Sequence, residues 1–352
     1  PMGPQVWDAT DLHVYAAFID AYVDVDAPTP GREQPGMHWN ALVNPQRRAL
    51  DGAGLTEDRA RALRQMGFGA AAISPRGGMF RGTSAVVALS PTQADASKPE
   101  PVVYRDGAYQ AVSLAQASGG DREGDTNWAG YPSSQMGSIA LMRQTFIDAD
   151  WQQGARARGQ FTDGPNALDA LARATPKGES ADGGNDAGSL LLFDAGDELE
   201  VLRAAKIARE FGRPLAILGS GNEYQRLAPI AAEKLPIVLP LAFARQPDVS
   251  SVAKADATDL RTLMAWEQSP TNPRRAVEAG LTVSLTTSKG RGNFMDNLRR
   301  AMDHGLSEND ALAALTTNPA ALLGVQDQIG TVSVGKRANL VVMTGPAFAR
   351  SS

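Results

Sequence analysis

The sequence predicts an α/β protein built on a parallel sheet, and two observations carry that prediction. From residue 189 onward, short apolar runs alternate with helical stretches: Leu190 to Phe193, Leu199 to Phe211, Leu215 to Leu218, Glu223 to Glu233, Ile237 to Leu241. Alternation of this kind needs crossover connections, and crossovers join parallel strands. Near the N-terminus, Phe18-Ile19-Asp20-Ala21-Tyr22-Val23-Asp24-Val25-Asp26 is an apolar, β-rich run that ends in carboxylates. At the far end, Ile329 to Val342 reads as two short strands around the Gly335-Lys336 turn. No internal repeat is present, and one compact barrel with a small attached β element explains the whole order.

The remaining elements can be read in chain order. Residues 27 to 54 are rich in Pro, Gly, Asn and Arg and lack periodicity, which predicts a long surface loop. Thr56 caps a helix running to Met66, with Glu57 and Asp58 in its first turn. Strands are predicted at 67 to 74, at 82 to 89, and at 102 to 104 and 111 to 114, the last two joined at Arg105-Asp106-Gly107. A polar loop covers 115 to 131, and Ile139, Met142, Phe146 and Trp151 mark an amphipathic helix over 138 to 151. A short helix at 167 to 174 precedes a Gly, Asp and Ser-rich linker, 176 to 188. After an exposed loop come helices at 259 to 267 and 274 to 279, a strand at 282 to 285, and helices at 294 to 303, 308 to 315 and 319 to 323.

Composition narrows the function classes. A chain of 352 residues, 43% hydrophobic and 21% charged, can bury a large core. No apolar run of about 18 residues is present to span a bilayer. A net charge of -5 without a basic stripe argues against nucleic acid. With no cysteine, disulfides, thiolate metal sites and a cysteine nucleophile are excluded. No leader is read at Pro1, and the compartment stays open between bacterial periplasm and cytoplasm.

Three segments carry a family resemblance. The run from Phe18-Ile19-Asp20 through Asp26 resembles the first barrel strand of the amidohydrolase superfamily, whose Gly-Phe-Ile-Asp-x-His-x-His pattern supplies two metal ligands. Leu315 to Gly324, with Thr317-Asn318-Pro319-Ala320, is similar to that superfamily's Thr-x-Asn-Pro-Ala-x-x-Leu-Gly segment. The tail through Val342 most resembles imidazolonepropionase-like members. The resemblance implies a distorted TIM-like (β/α)8 barrel over residues 14–325. Residues 1–13 and 326–352 would be remnants of a small, incomplete β-sandwich formed by the chain termini.

That resemblance also implies where a metal centre would stand, and there the sequence departs from the pattern. The two first-strand histidine positions hold Tyr22 and Asp24, the strand-five position Phe193, the strand-six position Gly219, and Ser288 stands for the strand-eight aspartate. The chain has three histidines, His13, His38 and His304, and a Zn site lacking cysteine would need nearly all of them to converge. His304 falls at a helix C-terminus, where a cation suits the dipole, and His13 reads as surface or packing. His38 lies in a loop that could reach the mouth. Asp24, Asp26, Asp194 and Asp197 offer oxygen ligands, and loop capping is the plainer reading. Gly219-Ser220-Gly221 could present amides to an anion, or be only a tight turn. The basic loops with Arg76, Lys289 and Arg291 could hold a carboxylate or phosphate, against a plain reading as solvated charge.

Three functions therefore stand open. The first is an amidohydrolase-fold domain that is catalytically inactive through loss of its metal ligands and serves as a scaffold or partner domain, with no metal. The segment Tyr131-Pro132-Ser133-Ser134-Gln135-Met136-Gly137 resembles metal-less domains found in front of a second, intact amidohydrolase domain in some bacterial proteins, and the ending Ala349-Arg350-Ser351-Ser352 suits a domain cut from a longer chain. The partner would be that second domain or another copy. The second is a hydrolase acting on a non-peptide C–N bond, in a cyclic amide or peptide-like substrate, with a divalent Zn or Mn on Asp24, His38 and Asp194. The third is a small-molecule binding protein.

Overall fold

The protein is described by a computed structural model over residues 8–31, 33–89, 102–117, 130–160, 166–172, 190–290 and 293–349. Period-2 alternation builds its sheet. β2 (Phe18–Val25), β3 (Phe68–Pro75), β4 (Phe80–Ala88), β5 (Val103–Ser113), β6 (Leu191–Asp194), β7 (Leu215–Leu218), β8 (Ile237–Pro240) and β9 (Val283–Thr286) pair in that order. All neighbours are parallel except β3–β4 and β4–β5, which are antiparallel. Ile19, Ala70, Ala72, Tyr109, Ala111, Leu192, Ala216 and Val238 form one buried cluster, while Phe18, Phe68, Val112, Leu191, Phe193, Ile217 and Ile237 join the larger cluster under the helices. Successive residues thus face opposite sides. Small alanines leave room inside for Tyr109, which is fully buried.

The barrel is closed at β2 and β9 by side chains. Thr286 Oγ1 donates to the Tyr22 carbonyl at 2.6 Å. Asp20, fully buried, accepts from Thr287 N at 3.1 Å, from Thr287 Oγ1 at 2.6 Å and from Tyr22 N at 3.1 Å. The pairing of β2 with β3 shifts register between Asp20 and Val23, next to these contacts. Burial raises the Asp20 carboxyl above the ordinary range, and the donors aimed at it act in the opposite direction.

Helices cover the outside. α1 (Glu57–Gln65) starts at Thr56, whose side chain accepts from Arg59 N. α2 (Gln135–Ala157) is longer than the apolar pattern predicts, because Ser134 caps it and its polar continuation stays helical. α3 (Glu198–Glu210), α4 (Leu227–Ala232), α5 (Val252–Ala257), α6 (Leu260–Gln268), α7 (Asn272–Glu278), α8 (Phe294–Asp303), α9 (Glu308–Leu315) and α10 (Thr317–Leu322) complete the set. Beyond α10, Leu323, Val325 and Ile329 join the inner cluster with Ala320. Asn318 Nδ2 donates to the carbonyl of Val283, the first residue of β9, at 2.7 Å. This segment therefore floors the barrel at the strands' N-terminal ends. No described helix is long and apolar enough to cross a membrane.

Several expectations are corrected. Val103 to Ser113 is one continuous strand, with Gly107 at φ 72° absorbing a register shift where a turn was expected. Residues 27 to 54 are not a free surface loop: Asn44 N donates to the Phe80 carbonyl, and the buried Arg47 guanidinium donates to the carbonyls of Ala27, Pro28 and Arg76. The exposed loop before residue 259 contains α5. Among the described residues the two chain ends form a single antiparallel ribbon, β1 (His13–Ala16) with β10 (Leu340–Met343). The strand expected at 329 to 334 is absent. The linker 176 to 188 lies outside the described residues.

The seam predicts the cost of breaking it. Asp20→Ala strands buried donors at about 1 to 3 kcal/mol each, so urea denaturation should show a loss of several kcal/mol. An unchanged midpoint would refute the seam's role.

Candidate functional site

The C-terminal ends of the parallel strands form the mouth, where such barrels build sites. Three elements place three charges there. Asp194 ends β6 on the mouth side of its alternation, Arg81 projects from β4, and Lys289 lies just past β9 in a left-handed conformation with φ 58°. Arg81 Nη2 lies 2.8 Å from Asp194 Oδ2, and Arg81 Nη1 donates to the Tyr22 hydroxyl at 3.0 Å. Lys289 Nζ takes the other carboxylate oxygen, Asp194 Oδ1, and donates to the carbonyls of Ala195 at 3.1 Å and Gly219 at 3.3 Å. The Arg81 and Asp194 side chains are only 13% and 19% exposed. Burial opposes the Arg81 charge, but Tyr22 and Asp194 outweigh it and raise its pKa. Burial likewise raises the Tyr22 phenol.

Two further charged positions are satisfied in the same way. Asp24 Oδ2 accepts from Arg76 Nε at 2.6 Å, and Asp24 Oδ1 lies 3.2 Å from Arg59 Nη2. Burial pushes the Asp24 carboxyl up, while Arg76 and Arg59 together overcome this and hold it below the ordinary range. In the turn after β7, the backbone amides of Ser220 and Gly221 point at Glu223 Oε1, at 2.6 and 3.2 Å. Glu223 Oε2 accepts from Asn272 Nδ2 at 2.8 Å, and the residue is wholly buried. An anion is thus already in the turn, and it belongs to the chain.

The structure brings Tyr22, Asp194, Gly219 and Lys289 together and leaves other candidates apart. Phe193 lies in the helix-facing cluster. The residue that reaches the mouth is its neighbour Asp194, a one-residue slip that inverts the side under strand periodicity. A Cβ at Gly219 would stand 2.5 Å from Glu223 Oε1, so a larger residue needs Glu223 to move. Ser288 is buried, its N–H donates to Thr286 Oγ1, and its hydroxyl has no partner among the described residues. His38 Nδ1 accepts from Asn40 N, its ring contacts Trp39, and burial lowers its pKa. His13 is in β1, and His304 ends α8 with Nδ1 2.7 Å from the Arg300 carbonyl. Asp197 caps α3, accepting from Leu199 and Glu200 amides, and the exposed Asp26 faces Arg76. Arg291 lies outside the described residues.

Among the described residues, the carboxylates of the mouth are engaged by cationic side chains. Among the described residues no group of three His, Asp or Glu side chains is arranged to hold one, and Asp24 and Asp194 each already lie between two cationic side chains. Arg81, Arg59 and Glu223 are the residues that sequence reasoning passed over. A lone arginine in the otherwise uncharged run of β4 is the signal that could have found the first, because a buried charge needs a partner.

The paired charges predict two outcomes. Lys289→Met keeps the aliphatic stem and deletes the ammonium, so it should cost about 1 kcal/mol, below a fully buried pair because the site is partly wet. Methylammonium should restore part of the loss in thermal melts; no destabilisation would contradict the arrangement. Asp24 has a depressed folded pKa, so its contribution is present above the unfolded value of about 4 and fades as pH falls below it. Asp24→Asn should flatten stability between pH 5 and 3, as measured by denaturant titration; a parallel profile would refute it.

Comparison with known proteins bears on the fold that carries this mouth. Residues 264–350 match the amidohydrolase family. Over 167 residues the chain is 30% identical to the imidazolonepropionase of Symbiobacterium thermophilum, covering 44% of this chain and 38% of that protein. It is 33% identical over 84 residues to the adenine deaminase of Ligilactobacillus salivarius, covering 24% of this chain and 14% of that protein. The matched stretches therefore span well under half the length of these relatives. The amidohydrolase structure from Thermotoga maritima superposes with a TM-score of 0.66 at 21% identity, covering 99% of this chain and 88% of that one, and shows the fold. The Thermotoga structure shows the fold over nearly the whole chain, and the family model matches its C-terminal quarter.

Proposed function

We propose that the chain is an amidohydrolase-fold domain without a working metal centre, serving as scaffold or partner domain to an active amidohydrolase. One observation carries this reading. The ammonium of Lys289 is bracketed by Asp194 Oδ1 and the Ala195 and Gly219 carbonyls, at the strand ends where the family resemblance sets a cation. A tethered positive charge supplies the electrostatic part of a metal's role, holding the carboxylate and the strand ends together. It offers no open coordination position for a water molecule, and metal-assisted hydrolysis needs one. The carboxylates that would take a proton from such a water are committed to Arg59, Arg76 and Arg81.

The second reading, a hydrolase of a cyclic amide C–N bond, is favoured by the relatives named imidazolonepropionase. Metal analysis of protein purified without chelator separates the two. The pseudoenzyme reading expects far less than one Zn or Mn per chain, and no turnover of imidazolone propionate. One equivalent of metal, with hydrolysis that Asp24→Ala abolishes, would establish the hydrolase instead.

A further inference from the structure

A second concave surface lies between the segment after β8, α6 and α8. Phe243, Ala244, Arg245 and Gln246 come just after β8, Trp266 lies on α6, and Asn297, Arg300 and His304 lie along α8; together they line a groove of about 600 Å³. That volume suits a metabolite-sized ligand. No carboxylate is among these lining residues.

The cations of the groove differ from those of the mouth. Arg76 and Lys289 are each bound to the chain's own aspartates. Among the described residues, neither Arg245 nor Arg300 has a carboxylate within ion-pair distance, although Asp296 and Asp303 border an adjoining depression with Arg299 and Arg300. Arg300 is nonetheless held in place: its guanidinium lies over the Phe243 ring, 5.6 Å from the centroid, and its Nη2 donates to the Trp266 carbonyl at 3.4 Å. Those restraints leave most of its N–H groups unspent. His304 uses Nδ1 on the Arg300 carbonyl, and its Nε2 has no partner among the described residues. Asn297 is tied by its amide nitrogen to the Leu241 carbonyl at 2.8 Å.

We propose that this groove binds a small organic anion with an aromatic body, its carboxylate or phosphate on Arg245 and Arg300 and its ring against Trp266. A fork of guanidinium donors matches the two oxygens of a carboxylate, and the indole offers a flat apolar wall. The pre-positioned Arg300 loses little freedom on binding, which favours affinity. This inference is independent of whether the mouth carries a metal, because it uses none of the paired side chains around Asp24 and Asp194.

The test is a calorimetric titration of the whole chain with benzoate, phenyl phosphate and the neutral isostere benzamide, repeated on variants. Benzoate or phenyl phosphate should saturate with a dissociation constant of about 1 mM, a scale suited to so small a ligand, and benzamide should not bind. The better of the two anions identifies the head group. Arg245→Gln alters an exposed side chain and should weaken binding about tenfold; Arg300→Gln should do the same, and Arg300→Lys should recover part of it. Two results overturn the proposal. One is no saturation by either anion up to about 20 mM, far above the expected constant. The other is binding that survives Arg245→Gln and Arg300→Gln but is lost in Lys289→Met, which would put the anion at the mouth.

Discussion

A charge taken out of water must find a partner, and that constraint shapes the whole upper face of this barrel. Asp194 sits where strand periodicity delivers it, facing the mouth with little exposure, and it cannot remain there alone. Arg81 from β4 and Lys289 from the segment after β9 converge on its two oxygens. Because these residues come from distant parts of the chain, the pairing also ties β4, β6 and β9 together across the opening. Lys289 adopts a positive φ to reach its place. A non-glycine residue tolerates that conformation when its surroundings fix it.

The same economy recurs around the mouth. Glu223 fills the amide-lined turn after β7, and Asp24 is shared between Arg59 and Arg76. Each is a position where an external ion would be at home, and each is served by a side chain of the chain itself. Most of the burial lies elsewhere, in the alanine-lined interior around Tyr109, the seam at Asp20 and the helical shell. Mouth residues can therefore change at a modest cost in stability, about 1 kcal/mol for a partly exposed pair. A fold can keep its walls while the residues at the strand ends change, which is why function has to be argued from the site.

Much of this was legible in the sequence. α8 and α9 run over the predicted residues because their signals are local: Asn293 and Ser307 cap them, and apolar positions recur at helical spacing. The regular β/α alternation from residue 190 was equally plain. What stayed hidden depends on tertiary contact. Arg105-Asp106-Gly107 carries turn chemistry, yet pairing of Arg105 and Asp106 with Val86 and Ala85 of β4 holds it within a continuous strand. The segment 27–54 has loop composition, yet backbone bonds from Asn44 and Arg47 fasten it along β4, and the Arg47 guanidinium ties it to the Arg76 carbonyl. At the mouth, motif alignment placed Phe193 one residue from the side chain that matters, and in a strand one residue is the whole difference between inside and outside. The scarcity of histidine was visible in composition; the lysine bracketed by strand-end oxygens was not, since nothing in the sequence relates Lys289 to Ala195 and Gly219.

The most direct test of the central claim is a crystal structure of protein equilibrated with Zn and Mn, with anomalous scattering recorded at both metal edges. The account predicts Lys289 Nζ bound to Asp194, Ala195 and Gly219, with no anomalous peak at the mouth. A metal peak beside Asp194 or Asp24, with Lys289 displaced, would contradict it.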